Sequence, residues 1–405
     1  MIPKLSAIPP TPRRAARDPR ARRTVRAIAG AAMLALTSPA FADPAELTAR
    51  RACEDVPALA YVSDFARAAV LVYRIDPATG ALLPSALGPF LVEDKPAHIV
   101  LHPDGRFVYV ANWGAGTLSG FAIGRGGELI PVPGSPFVTA AHPESIAILP
   151  SGFLYVANYG DDVVTGFAID PASGSLAPVP GSPFATGAHP ISVAASPAGD
   201  AVYVANDMSS TVSAFAVDPR TGALSGVSGS PFVTGDRAFS VAVSPSGRFV
   251  YVVDGVSSDV TAFRRDLVRQ GRQDLHPITG SPFATGANPA GVTVDPSGRF
   301  AFVANWGGGT VSSFRIDPVR GALEPVAGSP FASAPGTRAV RVDATGKFLY
   351  AANIESGIVS SFAIRGDGAL RAIAGGAVAT GGQPSAVVVT RRCTDDAGPR
   401  EASAP

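Results

Sequence analysis

Tyr109-Val110-Ala111-Asn112 decides the reading of this chain, because versions of it begin again at Tyr61, Tyr155, Tyr203, Tyr251, Phe302 and Tyr350. Successive starts lie 48, 46, 48, 48, 51 and 48 residues apart. Twelve residues after each start stands another aromatic: Tyr73, Phe121, Phe167, Phe215, Phe263, Phe314 and Phe362. That offset never changes, so the segment between the two aromatics is one rigid unit, copied without insertion. A period near 48 residues with strand-like content points to a propeller or another repeat array.

The unit that starts near Pro190 shows what one copy contains. Residues 191–196 form a short alternating strand, closed by the turn Pro197-Ala198-Gly199. Ala201–Asn206 and Thr211–Val217 are the next two strands, and Phe215 packs between sheets. In Asp218-Pro219-Arg220-Thr221-Gly222, proline pre-sets the backbone and glycine takes a positive φ. Residues 223–227 make the fourth strand, and Gly229-Ser230-Pro231-Phe232 carries the chain inward again. These strands are named a to d, from the axis outward.

Seven such units predict an all-β fold, a closed seven-bladed β-propeller with four antiparallel strands per blade. The ends support closure. The unit at Tyr61 has no strand a before it, whereas Gln383-Pro384-Ser385-Ala386-Val387-Val388-Val389 resembles strand a with no strand b after it. The first blade is therefore completed by the C-terminal strand, which removes two open edges.

Residues 1–42 stand outside the repeat. Seven arginines from Arg13 to Arg26 precede a short apolar run, residues 27–36, and the small-x-small signal Ala40-Phe41-Ala42. This is the pattern of a secretory signal peptide, and the apolar run is too short to span a bilayer. The expected order is a signal peptide (1–42), a lead-in (43–56), the propeller (57–390) and a tail (391–405). The expected location is periplasmic or secreted, with no membrane span after signal cleavage. Cys53 and Cys393, the only cysteines, bracket the array, and in an oxidising compartment they read as a disulfide. Without residues 1–42 the chain keeps 25 basic and 31 acidic residues, a net charge of −6. That balance argues against nucleic acid and anionic membrane as partners. A monomer is expected.

Strand geometry puts the a–b and c–d turns on one face and the b–c and d–a loops on the other. The first set is monotonous, with Pro-Asp/Ser-Gly turns at Pro103, Pro150, Pro245 and Pro296. It also repeats Asp-Pro-x-x-Gly at Asp76, Asp170, Asp218 and Asp317. The second set varies, and a ligand site must be asymmetric, so function is expected on the b–c/d–a face. Two rings can be read there by register. Before strand a come Lys95, His142, His189, Arg237, Asn288 and Gln383, with Thr337-Arg338 taken as the bend of the remaining blade. Four residues after each repeat start come Phe65, Trp113, Tyr159, Asp207, Gly255, Trp306 and Ile354. A partly cationic funnel with aromatic walls suits a small polar or anionic ligand such as a sugar. The ring Asp64, Asn112, Asn158, Asn206, Asp254, Asn305 and Asn353 reads as turn-capping structure.

Most catalytic templates fail. His98 and His102 lie four apart on one strand, but no third ligand stands near them, so no metal is expected. No phosphate loop, serine elbow or cofactor motif is present.

The repeated Tyr-Val-Ala-Asn, Pro-Ser-Gly-Arg-Phe and Asp-Pro-x-x-Gly-x-Leu phrases resemble the lactonase family of seven-bladed propellers, over residues 57–390. That family includes 6-phosphogluconolactonase and carboxymuconate-lactonising enzymes. In its active members Pro-Arg-His precedes one strand a, and a glutamate follows Tyr-x-x-Asn of the same blade. The matching residues here are Thr337-Arg338-Ala339 and Asn353-Ile354-Glu355. Arginine is kept, histidine is replaced by Ala339, and the acid Glu355 stands one place late. The resemblance implies Arg338 as the carbonyl's charge stabiliser, with Glu355, His142 or His189 as candidate base. Two readings stand: an exported, metal-free lactonase acting on a sugar or aldonic lactone, or a non-catalytic propeller binding a small polar ligand, glycan or protein on the same face.

Overall fold

The computed structural model describes residues 58–267 and 273–390. The proposed signal peptide, the lead-in up to Val56, Cys53 and Cys393 lie outside the described residues, and so does the pairing of those cysteines. Among the described residues every regular element is a strand, and no helix is long and apolar enough to cross a membrane.

Seven antiparallel sheets each follow the order a-b-c-d. In the fourth blade these are Pro190–Ala195, Ala201–Asn206, Thr211–Val217 and Leu224–Gly226. The ring closes as the half-repeats imply: Leu59–Asp64 pairs antiparallel with Pro384–Val389, with Val62 opposite Val387.

Strand d differs from its sequence reading, because it is broken. After Leu224–Gly226 the chain turns and Phe232–Val233 returns to the same strand c, farther along. In five blades the break coincides with Gly-Ser-Pro-Phe, where proline offers no N–H to a ladder. The serine repairs the gap. Ser230 Oγ accepts the strand-c amide of Ala214 at 2.9 Å, and Ser135, Ser182, Ser281 and Ser329 do the same in their blades.

The repeated phrases become joints between blades. Tyr109, fully buried, donates its hydroxyl to the Gly174 carbonyl in the next blade's c–d turn at 2.7 Å. Tyr61, Tyr155, Tyr251 and Tyr350 make the same bond to Gly127, Gly222, Gly321 and Gly80. Gly174 has φ of 75°, and a Cβ there would strike the Phe107 ring, so conformation and space both require glycine. Phe302 has no hydroxyl to give, and its cross-strand partner Ser313 bonds the Gly368 carbonyl instead, at 2.7 Å. The buried tyrosine hydroxyls have pKa values raised by burial, so they stay protonated as donors. The strand-b asparagines are buried caps: Asn206 Nδ2 donates to Thr211 Oγ1 and Ser213 Oγ at 3.1 and 2.9 Å.

Candidate functional site at the channel mouth

The seven inner strands surround a central cavity of about 540 Å³. At its b–c/d–a end the two rings read from the sequence meet, blade by blade. The amides of Trp113, Tyr159 and Asp207 donate to the carbonyls of Lys95, His142 and His189, each at 2.9 Å. Gly255, Trp306 and Phe65 bond Arg237, Asn288 and Gln383 in the same way. Lys95, His142, His189, Arg237 and Asn288 all hold positive φ, between 47° and 64°. Residues other than glycine keep that conformation only where their surroundings over-determine it.

The remaining blade corrects the register. There Ile354 bonds the carbonyl of Gly336, whose φ is 75°, and Thr337 already belongs to strand a, opposite Asn353. Five of the other bends hold positive φ at this position, and here glycine supplies it one residue earlier than the sequence reading placed it. Arg338 is thereby a channel residue rather than part of the bend.

Side chains of one blade engage the bend of the next. Trp113 stacks on His142 with centroids 4.1 Å apart and planes 11° apart, and Lys95 Nζ lies 5.4 Å from the same indole. Tyr159 lies against His189 at 4.3 Å, and its phenol pKa is raised by burial and by Asp207. Arg237 forks onto Asp207, with Nε to Oδ1 at 2.5 Å and Nη2 to Oδ2 at 2.6 Å. Trp306 Nε1 donates to Glu355 Oε1 at 2.5 Å, which turns that carboxylate toward the rim. Asn288 and Gln383 are exposed at the mouth.

Just inside this rim, Arg338 reaches Glu144 and forms an ion pair. The two residues come from the inner strands Thr337–Val342 and Pro143–Ile148, on opposite sides of the ring. Both are mostly sheltered, with 16% and 11% of their side chains exposed. Glu144 was not singled out in the sequence. Its signal is weak: it is the acidic residue at the inner-strand position that carries Ala97, Ile191 and Ala290 in other blades.

Deeper in the channel, His98 Nδ1 accepts the Ile146 amide at 3.3 Å. Ser145, Ser192 and Ser240 do the same for Val193, Val241 and Val292. His98 is thus one stitch in a row that ties neighbouring inner strands together. Burial, with Arg341 and Arg338 nearby, lowers its pKa to about 4, so the accepting nitrogen stays free of a proton at neutral pH. His102 pairs with Asp104 at 2.7 Å on the a–b turn. Among the described residues no group of three or more side chains is arranged to hold a metal.

A family model described as Lactonase, 7-bladed beta-propeller matches residues 59–243 and 233–389. The chain belongs to this family. A solved structure of a Bacteroides uniformis protein proposed to be a 6-phosphogluconolactonase is 19% identical, covering 82% of this chain and 99% of that one, with a TM-score of 0.72. The periplasmic gluconolactonase PpgL of Pseudomonas aeruginosa is 23% identical, with 82% and 99% coverage and a TM-score of 0.69. The hydrazine synthase of Kuenenia stuttgartiensis, 20% identical, covers 75% of this chain and 91% of that one at a TM-score of 0.56. At these identities the likeness is one of fold, and a fold shared with hydrazine synthase does not name a reaction. No curated protein matches the chain significantly.

Proposed function

We propose that this family member is an exported lactonase that opens a sugar or aldonic lactone by hydrolysis at the channel mouth. The observation that carries this reading is the Arg338–Glu144 pair, sheltered beneath a rim of stacked aromatic and imidazole rings. Lactone hydrolysis needs a cation where the carbonyl oxygen gains charge and a base for the attacking water. Arg338 supplies the first. Glu144, held against it, supplies the second: it takes a proton from water as oxygen attacks the carbonyl carbon. The ring C–O bond then breaks, and Glu144 returns the proton to the departing alkoxide. Trp113 and Tyr159 offer faces on which a sugar ring lies.

The secretory pattern of residues 1–42 and the likeness to a periplasmic gluconolactonase support export. The competing reading, binding without catalysis, is favoured by Ala339 standing where active relatives carry histidine. An assay separates them. The purified mature chain, given a panel of aldonic lactones that includes glucono-δ-lactone, is expected to release acid faster than the solvent background. Binding of a lactone or its acid with no release above background would leave the non-catalytic reading.

A further inference from the structure

The fifth blade departs from its sisters at one cross-strand pair, one member fully buried and the other half-buried. Where strands b and c begin to separate, the cross-strand partners are Asn112 and Thr117, Asn206 and Thr211, and Asn305 and Thr310 in three other blades. Each is an amide donating to a hydroxyl, at 3.0, 3.1 and 3.0 Å. In the fifth blade the same positions are Asp254 and Asp259. Two ionised carboxylates directly opposite each other repel, and burial sharpens the repulsion.

Asp254 is fully buried, and Oδ1 of each aspartate is buried with no hydrogen-bond partner. The groups facing the pair are the Thr261 hydroxyl, 2.6 Å from Asp254 Oδ2, its amide at 3.2 Å, and the Thr234 hydroxyl. No basic side chain is paired with either carboxyl among the described residues. Arg237, two residues after Gly235 in the neighbouring loop, is turned to Asp207. Asp254 also packs against Gly235, in the loop that delivers Arg237 to the mouth, and Gly255 beside it bonds the Arg237 carbonyl at 2.8 Å.

We infer that Asp254 and Asp259 hold one proton between them, and that this shared proton keeps the Arg237 loop in its place at the channel mouth. The proton does the work that the asparagine amide does in the sister blades. Burial raises both pKa values and the Asp259 carboxyl raises that of Asp254 further, which is the direction this requires. A raised folded-state pKa contributes stability at low pH that is lost as pH climbs toward neutrality. Arg237 itself is not asked to touch the reacting atoms, so the pair positions a rim residue and does not depend on the catalytic reading.

The test is melting temperature against pH, from about pH 5 to 8, for the parent, Asp254→Asn and the double variant Asp254→Asn/Asp259→Thr, which copies the sister blades. Comparison with the parent at each pH cancels other titrations. Relative to either variant, the parent should lose stability as pH rises, and amides of residues 234–237 should exchange faster in the parent alone at the upper end. Parallel curves for parent and variants would overturn the inference. So would a parent stabilised by calcium and destabilised by chelator while the variants are indifferent, because the pair would then hold a cation. If Asp254→Asn alone does not fold, the double variant decides.

Discussion

The two ends of the propeller are made from the same repeats yet spend their side chains differently. On the a–b/c–d face the repeated residues satisfy one another: Asp170 and Asp218 accept amides within their own turns, and the turn glycines receive tyrosine hydroxyls from the preceding blade. On the b–c/d–a face the residue types vary among the blades, and contacts run between unlike partners, indole to imidazole or guanidinium to carboxylate. Uniformity is what ring closure alone demands. On the proposed reading, asymmetry at one mouth, together with an ion pair inside it, marks the end where a ligand is handled.

The largest expected effect lies at that ion pair. Arg338→Ala or Glu144→Gln should lower kcat for lactone opening by about 10²–10³-fold, the usual loss when one charge-stabilising group or base is removed. A melting curve alongside the rate assay separates lost chemistry from lost fold. An undiminished kcat in both variants would move the reaction away from the pair.

The next effect is on stability in acid. His98 titrates only near 4 in the folded protein, against an ordinary 6.5, so the folded state resists a proton that the unfolded chain accepts. Stability should therefore fall as pH drops from 6.5 toward 4, by at most about 3 kcal/mol. His98→Ser, which copies the serines at this position in the following blades, should flatten that fall. Denaturant titrations at several pH values check it.

Smaller still are the joints of the opposite face. Tyr155→Phe leaves the Gly222 carbonyl without its bond, at a cost of about 1–3 kcal/mol, and catalysis should be unchanged. Ser313→Ala should cost a similar amount, because Ser313 serves Gly368 where Phe302 cannot. Equal destabilisation with a collapse in activity would blur the division between the faces. Trp113→Ala should weaken lactone affinity by about 0.5–1.5 kcal/mol through lost stacking, read as a rise in KM. Arg220→Ala, in a c–d turn, should shift neither affinity nor stability by more than about 0.5 kcal/mol.

Most of the fold was legible because the repeat states each rule several times. A tyrosine at one offset and a glycine at another specify a joint between blades, and the half-repeats at the ends specify closure. The break in strand d was missed because Gly-Ser-Pro-Phe reads as a plain connector until Ser230 is seen to replace a ladder acceptor. The site was legible as a ring of positions but not as a set of partners. Arg338 and Glu144 are 194 residues apart and meet across the channel, a distance that register along one blade does not reveal. Glu355 lies in the same blade as Arg338, yet the indole of Trp306 from the neighbouring blade takes it. Blade-local motifs therefore point to the arginine but not to the glutamate that pairs with it.

Hydrogen exchange with and without gluconate, the opened form of the simplest candidate substrate, tests most directly the claim that one end works and the other holds. The account expects protection to concentrate in residues 142–146 and 336–340 at the channel mouth, with the Asp-Pro-x-x-Gly turns at Asp76, Asp170, Asp218 and Asp317 unchanged. Protection of those turns, with the mouth exchanging as freely as before, would contradict it.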